Sequence, residues 1–227
     1  MKLPSLRRTP RHSHWQQIRS DKATAALAAG TLAIAVSVVV AQYGRLLTRR
    51  THDTDPDHTL ITSAPAAAVD TVSVAVEGFG ASPRSEMLLF NLLAGFLGSF
   101  ATVRLTTWMI RDGLGPFRNV KVGGRHIHHF VPGILLAFGS GLAALLVRGN
   151  TGEKRIAVSM GAGMGLTFDE AALLLDMRDV YWTREGLLSV QISMATVATL
   201  GITILSLRIL GRGEDRKVAA GEIPATA

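Results

Sequence analysis

The stretch Arg155-Ile156-Ala157-Val158-Ser159-Met160-Gly161-Ala162-Gly163-Met164-Gly165-Leu166-Thr167-Phe168-Asp169-Glu170-Ala171-Ala172-Leu173-Leu174-Leu175-Asp176 decides the fold. Between its flanking charges lie 20 residues interrupted by one acidic pair. About 20 helical residues at ~1.5 Å each cover the ~30 Å hydrocarbon core of a bilayer. The 13 residues ahead of Asp169 are too few to cross, but the apolar run resumes as far as Leu175. The segment therefore predicts a spanning helix that carries two carboxylates inside the membrane.

Working outward, uncharged runs of 22 residues lie between Lys22 and Arg45, between Arg125 and Arg148, and between Glu185 and Arg208. A run of 17 separates Glu86 from Arg104, and it suffices if Arg104 snorkels to the headgroups. The expected fold class is all-α: a polytopic transmembrane helix bundle with five spans, at 23–44, 87–110, 130–147, 156–175 and 187–207. The four later spans form a membrane core over 86–210. Basic residues ahead of the first run, with Val39-Val40-Ala41 near its end, compete as a secretory signal; cleavage would leave four spans, but the run exceeds a signal core of roughly 7 to 15 residues. Residues 1–22 read as a basic tail, 45–85 as a mobile external loop, and 211–227 as a flexible tail.

Composition agrees with a membrane location. The chain of 227 residues is 48% hydrophobic and 18% charged, with a mean hydropathy of +0.28 and a net charge of +7. A soluble nucleic-acid binder would combine that charge with a polar surface, so the expected partner is the lipid bilayer and not nucleic acid. With no cysteine, disulfides, thiolate zinc sites and a cysteine nucleophile are excluded. Lys2, Arg7, Arg8, Arg11, Arg19 and Lys22 share a membrane face with Arg111, Arg118, Lys121 and Arg125 in the five-span topology, which predicts a cytoplasmic N-terminus in a plasma membrane. The second group suits contact with anionic lipid headgroups.

The same topology gathers the chemically interesting side chains at one face: Arg104, Arg111, His126, His128, His129, Asp169, Glu170, Asp176, Asp179, Tyr181 and Trp182. Ala157, Gly161, Gly165 and Asp169 recur every four residues, a stripe of small residues that directs Asp169 toward protein. Ile156, Met160, Met164 and Phe168 form the stripe expected to face lipid. Gly133, Ala137, Gly141 and Ala144 form a matching small stripe that extends back to His129 and His126. Pro132 fits a first helical turn and is expected to push Val131 out of helical geometry. In an extended segment His126 and His128 share a side, and in a helical one His126 and His129 do.

The segments Gly124-Arg125-His126-Ile127-His128-His129-Phe130-Val131-Pro132-Gly133-Ile134 and Gly161-Ala162-Gly163-Met164-Gly165-Leu166-Thr167-Phe168-Asp169-Glu170, with Asp179-Val180-Tyr181-Trp182, resemble a family of prokaryotic integral membrane proteins of uncharacterised activity. The resemblance covers roughly residues 85 to 190. It implies the helical architecture and marks the His and Asp-Glu motifs without naming a reaction.

Three chemistries fit these residues. His126, His128, His129, Asp169 and Glu170 form a ligand set for one divalent metal, zinc or iron(II), whose bound water would serve a membrane-embedded hydrolase. The same groups, with Arg104, Asp176 and Asp179 as charge partners or relay, could conduct protons or cations, a reading that favours a homo-oligomer because five helices are few for a transporter. The third is a non-catalytic scaffold subunit in which Asp169 pairs with Arg104 and does nothing else. The residues from His52 to His58 imitate a calcium loop but lack its glycine and closing glutamate, and Ser140 lies in a packing stripe with no histidine at its depth.

Overall fold

Helix length and hydropathy coincide at four places in the computed structural model: Ala29–Thr51, Leu60–Gly80, Arg84–Thr107 and Met194–Ala219 are each long and apolar enough to cross a membrane. The structure describes residues 12–52, 59–111, 113–114, 116, 121–122, 125–126, 129–169 and 184–225. Among these lie six helices: α1 (His12–Thr51), α2 (Leu60–Gly80), α3 (Arg84–Arg111), α4 (Phe130–Leu146), α5 (Asn150–Asp169) and α6 (Arg184–Ala219). One hairpin of two-residue strands, β1 (Lys121–Val122) and β2 (Arg125–His126), precedes α4, with Lys121 opposite His126. The protein is an all-helical membrane bundle, with α4 as a shorter apolar helix beside the four long ones.

The largest departure from the sequence reading is α2, which occupies ground assigned to an external loop. Thr59 starts it with a capping box, its side chain accepting from the Thr62 amide while the Thr62 hydroxyl accepts from the Thr59 amide at 2.9 Å. Its buried side is Ser63, Ala67, Asp70, Val74 and Gly78, a helical stripe of mostly small residues. Arg50 of α1 pairs with Asp70, which makes the charge tolerable inside an apolar helix.

Other boundaries move as well. Helix α1 covers the expected first span at 23–44 and runs past both of its ends, with Ala29–Thr51 as its long apolar stretch. Helix α5 begins at Asn150, and the described part ends at Asp169; the expected continuation to Leu175 lies outside the described residues. The expected flexible tail is helical to Ala219 and then closes in a Schellman turn. There the Glu222 amide donates to the Lys217 carbonyl and the Gly221 amide to Val218, both at 3.0 Å, with Gly221 at φ 71°. This turn delivers Ile223 into a buried cluster with Leu46, Ala67, Val74 and Leu210.

Residue pairings give the helix directions. Arg84 meets Glu153, Leu92 meets Gly161 and Arg104 meets Asp169, so α3 and α5 run parallel. The Arg84 hydrogen bond at 2.6 Å is the main influence holding the Glu153 carboxyl below the usual carboxylate range. Gly133 packs on Thr167 and Gly152 on Val147, making α4 and α5 an antiparallel hairpin around Gly149 at φ 111°. Glu86 pairs with Arg212 and Leu93 touches Gly201, so α6 runs against α3. Thr31 meets Thr199 and Gln42 meets Glu214, so α1 runs with α6. The ends of α3 and α5 and the starts of α1, α4 and α6 thus share one membrane face.

Glycine seams set the helix spacing. A β-carbon at Gly161 would overlap the Leu92 carbonyl oxygen, and one at Gly95 the Val158 carbonyl oxygen. Without side chains there, α3 and α5 touch backbone to backbone, the dispersion-rich packing that replaces hydrophobic drive in lipid. Gly78 and Gly213 make a similar seam between α2 and α6.

Candidate functional site

The glycine seam of α5 ends at Asp169, which is buried at 7% exposure. Gly161 lies on Leu92 and Phe96, and Gly165 on Phe96, Ser99 and Phe100, so the next turn of the parallel pair brings Arg104 of α3 beside Asp169. The Arg104 Nε forms an ion pair with Asp169 Oδ1, and its Nη2 donates to the Asp169 backbone carbonyl at 3.1 Å. One guanidinium therefore neutralises the carboxylate and also meets the backbone carbonyl of the same residue. Its planar group lies 5.6 Å from the centre of the Phe100 ring, a cation–π contact that keeps it at this depth.

The third member comes from α4. His129 is the N-cap residue of that helix, with φ −70° and ψ −10°, and the close approach of Gly133 to Leu166 and Thr167 brings its ring against the end of α5. Its Nε2 lies 3.3 Å from Asp169 Oδ2 and its Nδ1 lies 3.2 Å from the Leu166 carbonyl oxygen. A carbonyl oxygen only accepts, so Nδ1 carries a hydrogen. Nε2 faces a carboxylate oxygen, and a hydrogen bond between the two atoms needs one proton.

Of the residues singled out in the sequence, the structure thus joins Arg104, His129 and Asp169. His126 lies in the extended β2 backbone, while its side chain, together with His128, Glu170, Asp176 and Asp179, falls outside the described residues. Among the described residues no group of three or more His, Asp or Glu side chains is close enough to hold a metal ion. Val131 is helical, contrary to expectation, because Pro132 sits in the first turn of α4, where its missing N–H costs nothing. Phe168, expected to face lipid, packs edge-on against Phe96 with ring centres 6.3 Å apart.

A second polar cluster lies near the opposite face and escaped the sequence reading. Glu214 of α6, 7% exposed, accepts from Gln42 Nε2 at 2.9 Å and pairs with Arg49, whose Nη1 donates to the Pro224 carbonyl at 3.3 Å. A signal existed: Gln42, Leu46 and Arg49 are spaced three and four apart, one face of a helix. No protein-family model matches the chain, and no match is found among curated proteins or among solved structures.

Proposed function

We propose that this is a multi-pass protein of a prokaryotic plasma membrane whose Arg104–Asp169–His129 cluster takes up and releases a proton in the service of proton or cation movement. The observation that carries this reading is the His129 ring held between two acceptors, the Leu166 carbonyl and the Asp169 carboxylate. Such a contact stores one proton and can pass it on by ring rotation or by exchange with a neighbouring group. Arg104 favours this use over metal binding, since a cation at Asp169 would share its carboxylate with a guanidinium already in place. In the sequence His126 and His128 precede His129 and Glu170 follows Asp169, which makes these residues the candidates for further steps of the path, and a homo-oligomer would supply the additional walls of a conducting route.

The test is reconstitution into proteoliposomes with an internal pH dye. Proton flux should fall about tenfold or more in Asp169→Asn and in His129→Gln, the loss of one charge-assisted hydrogen bond. Elemental analysis of the same samples should show no stoichiometric metal. Metal that disappears in a His126 plus His128 double alanine variant would move the reading to a metal site, and absent flux with normal folding would leave the scaffold role.

Orientation follows from the pairing of helix directions. The start of α1 and the end of α3 lie at the same face, and the sequence is basic before the one and after the other, which supports a cytoplasmic N-terminus and headgroup contact there. Because the chain has no cysteine, single cysteines report cleanly. A membrane-impermeant maleimide applied to intact cells should label Thr151→Cys, at the start of α5 on the other face, and spare Ser5→Cys. The reverse pattern would invert the protein.

A further inference from the structure

A cavity of 890 Å³ lies between α1, α2, α3 and α6, lined almost wholly by apolar side chains such as Ala35, Val39, Ala94, Ile202 and Leu210. On α1, α3 and α6 most of the lining lies at 31–42, 90–101 and 195–206, within uncharged stretches of the sequence, so the cavity sits at hydrocarbon depth. Apolar cavities do not hold water, and within a bilayer the available filler is lipid. We infer that the cavity is a binding site for one acyl chain of a membrane phospholipid, with the lipid phosphate held at Arg45. This inference does not depend on the proton reading.

Dimensions select the occupant. Along α1 the lining runs from Thr31 to Gln42. At 1.5 Å per residue that is about 16 Å, the depth of one leaflet of a ~30 Å core. Charge selects the headgroup. Arg45 stands one turn beyond the Gln42 end of the cavity, its guanidinium donating to Gln42 Oε1 while its side chain stays 56% exposed. Arg45 shares Glu214, 3.9 Å away, with Arg49, and its exposed side faces outward at the mouth, where an anion can reach it.

The test uses the full chain in nanodiscs containing phosphatidylglycerol with a photoactivatable diazirine near the end of one acyl chain. Crosslinks should concentrate in residues 31–42, 90–101 and 195–210. A β-carbon at Gly98 meets nothing within 4 Å, so Gly98→Phe combined with Ala35→Phe fills the cavity without moving backbone. That variant should lose at least about tenfold of the labelling while its melting temperature holds, because several buried methylenes are displaced. Arg45→Ala should lower the phospholipid retained through purification, read by native mass spectrometry on a protein with unchanged cavity. Labelling spread evenly over the lipid-facing surface, labelling unchanged in the filled variant, or conversion of a dimer to a monomer by that variant would each overturn the assignment. If the filled variant fails to fold, the wild-type crosslink map decides alone.

Discussion

Asp169→Ala is expected to destabilise the bundle by about 3 kcal/mol, the lower part of the range for breaking a buried ion pair. The substitution removes the Asp169 carboxylate from both Arg104 and the Nε2 of His129. The lower part of the range applies because the Arg104 side chain keeps 24% exposure and can rotate toward the headgroups. Equilibrium unfolding in mixed micelles would measure it, with Asp169→Asn as the milder comparison. A loss below about 1 kcal/mol, the worth of an exposed pair, would mean that the carboxylate is solvated and that the cluster does not form.

Gly161→Leu is expected to cost at least as much, about 3 kcal/mol or more, by forcing α3 and α5 apart. The added β-carbon would overlap the Leu92 carbonyl oxygen and approach the Phe96 amide nitrogen at 2.9 Å. Overpacking a core usually costs about 1–3 kcal/mol, and here the opposing atoms are backbone and cannot swing aside. Gly141→Ala is the control. Its β-carbon meets nothing within 4 Å, and alanine in place of glycine adds up to ~1 kcal/mol of helix propensity. A disulfide-free chain makes both readings simple, and equal melting points for the two variants would refute the seam.

These two sites were legible in the sequence for the same reason: the four-residue recurrence of Ala157, Gly161, Gly165 and Asp169 names a helix face before any partner is known. The direction of Asp169 toward protein follows from that recurrence, and Arg104 stood alone in an otherwise uncharged run. Helix α2 was not legible by the same means. Counting uncharged residues leaves only short runs after Leu60, because Asp70 and Glu77 break the stretch apart. Asp70 is admitted because Arg50 reaches it from α1, a contact between residues 20 apart that no window on α2 alone contains. Pro65 and the many Ala, Thr and Ser residues lower the apolar contrast further. The signal that remained was periodicity in small residues, Ser63, Ala67, Val74 and Gly78, rather than in large ones.

The C-terminal tail misled for a related reason. Residues 211–219 mix charges and glycine, which reads as solvent-exposed, yet Glu214 and Gly213 turn inward onto Gln42 and Val74. Their burial depends on α1 and α2 being present to receive them. The site itself was only half visible: the pattern supplied His129 and Asp169, but the Leu166 carbonyl that fixes the ring belongs to the backbone and has no sequence signature.

Helix α4 has 17 residues, about 25 Å of rod against a hydrocarbon layer of ~30 Å, and it packs chiefly against α5. A thick membrane must therefore thin around it or draw its end inward, and that end carries His129. The imidazole–carboxylate contact lies at the end where this mismatch is borne, so lipid composition acts on it as a mechanical load.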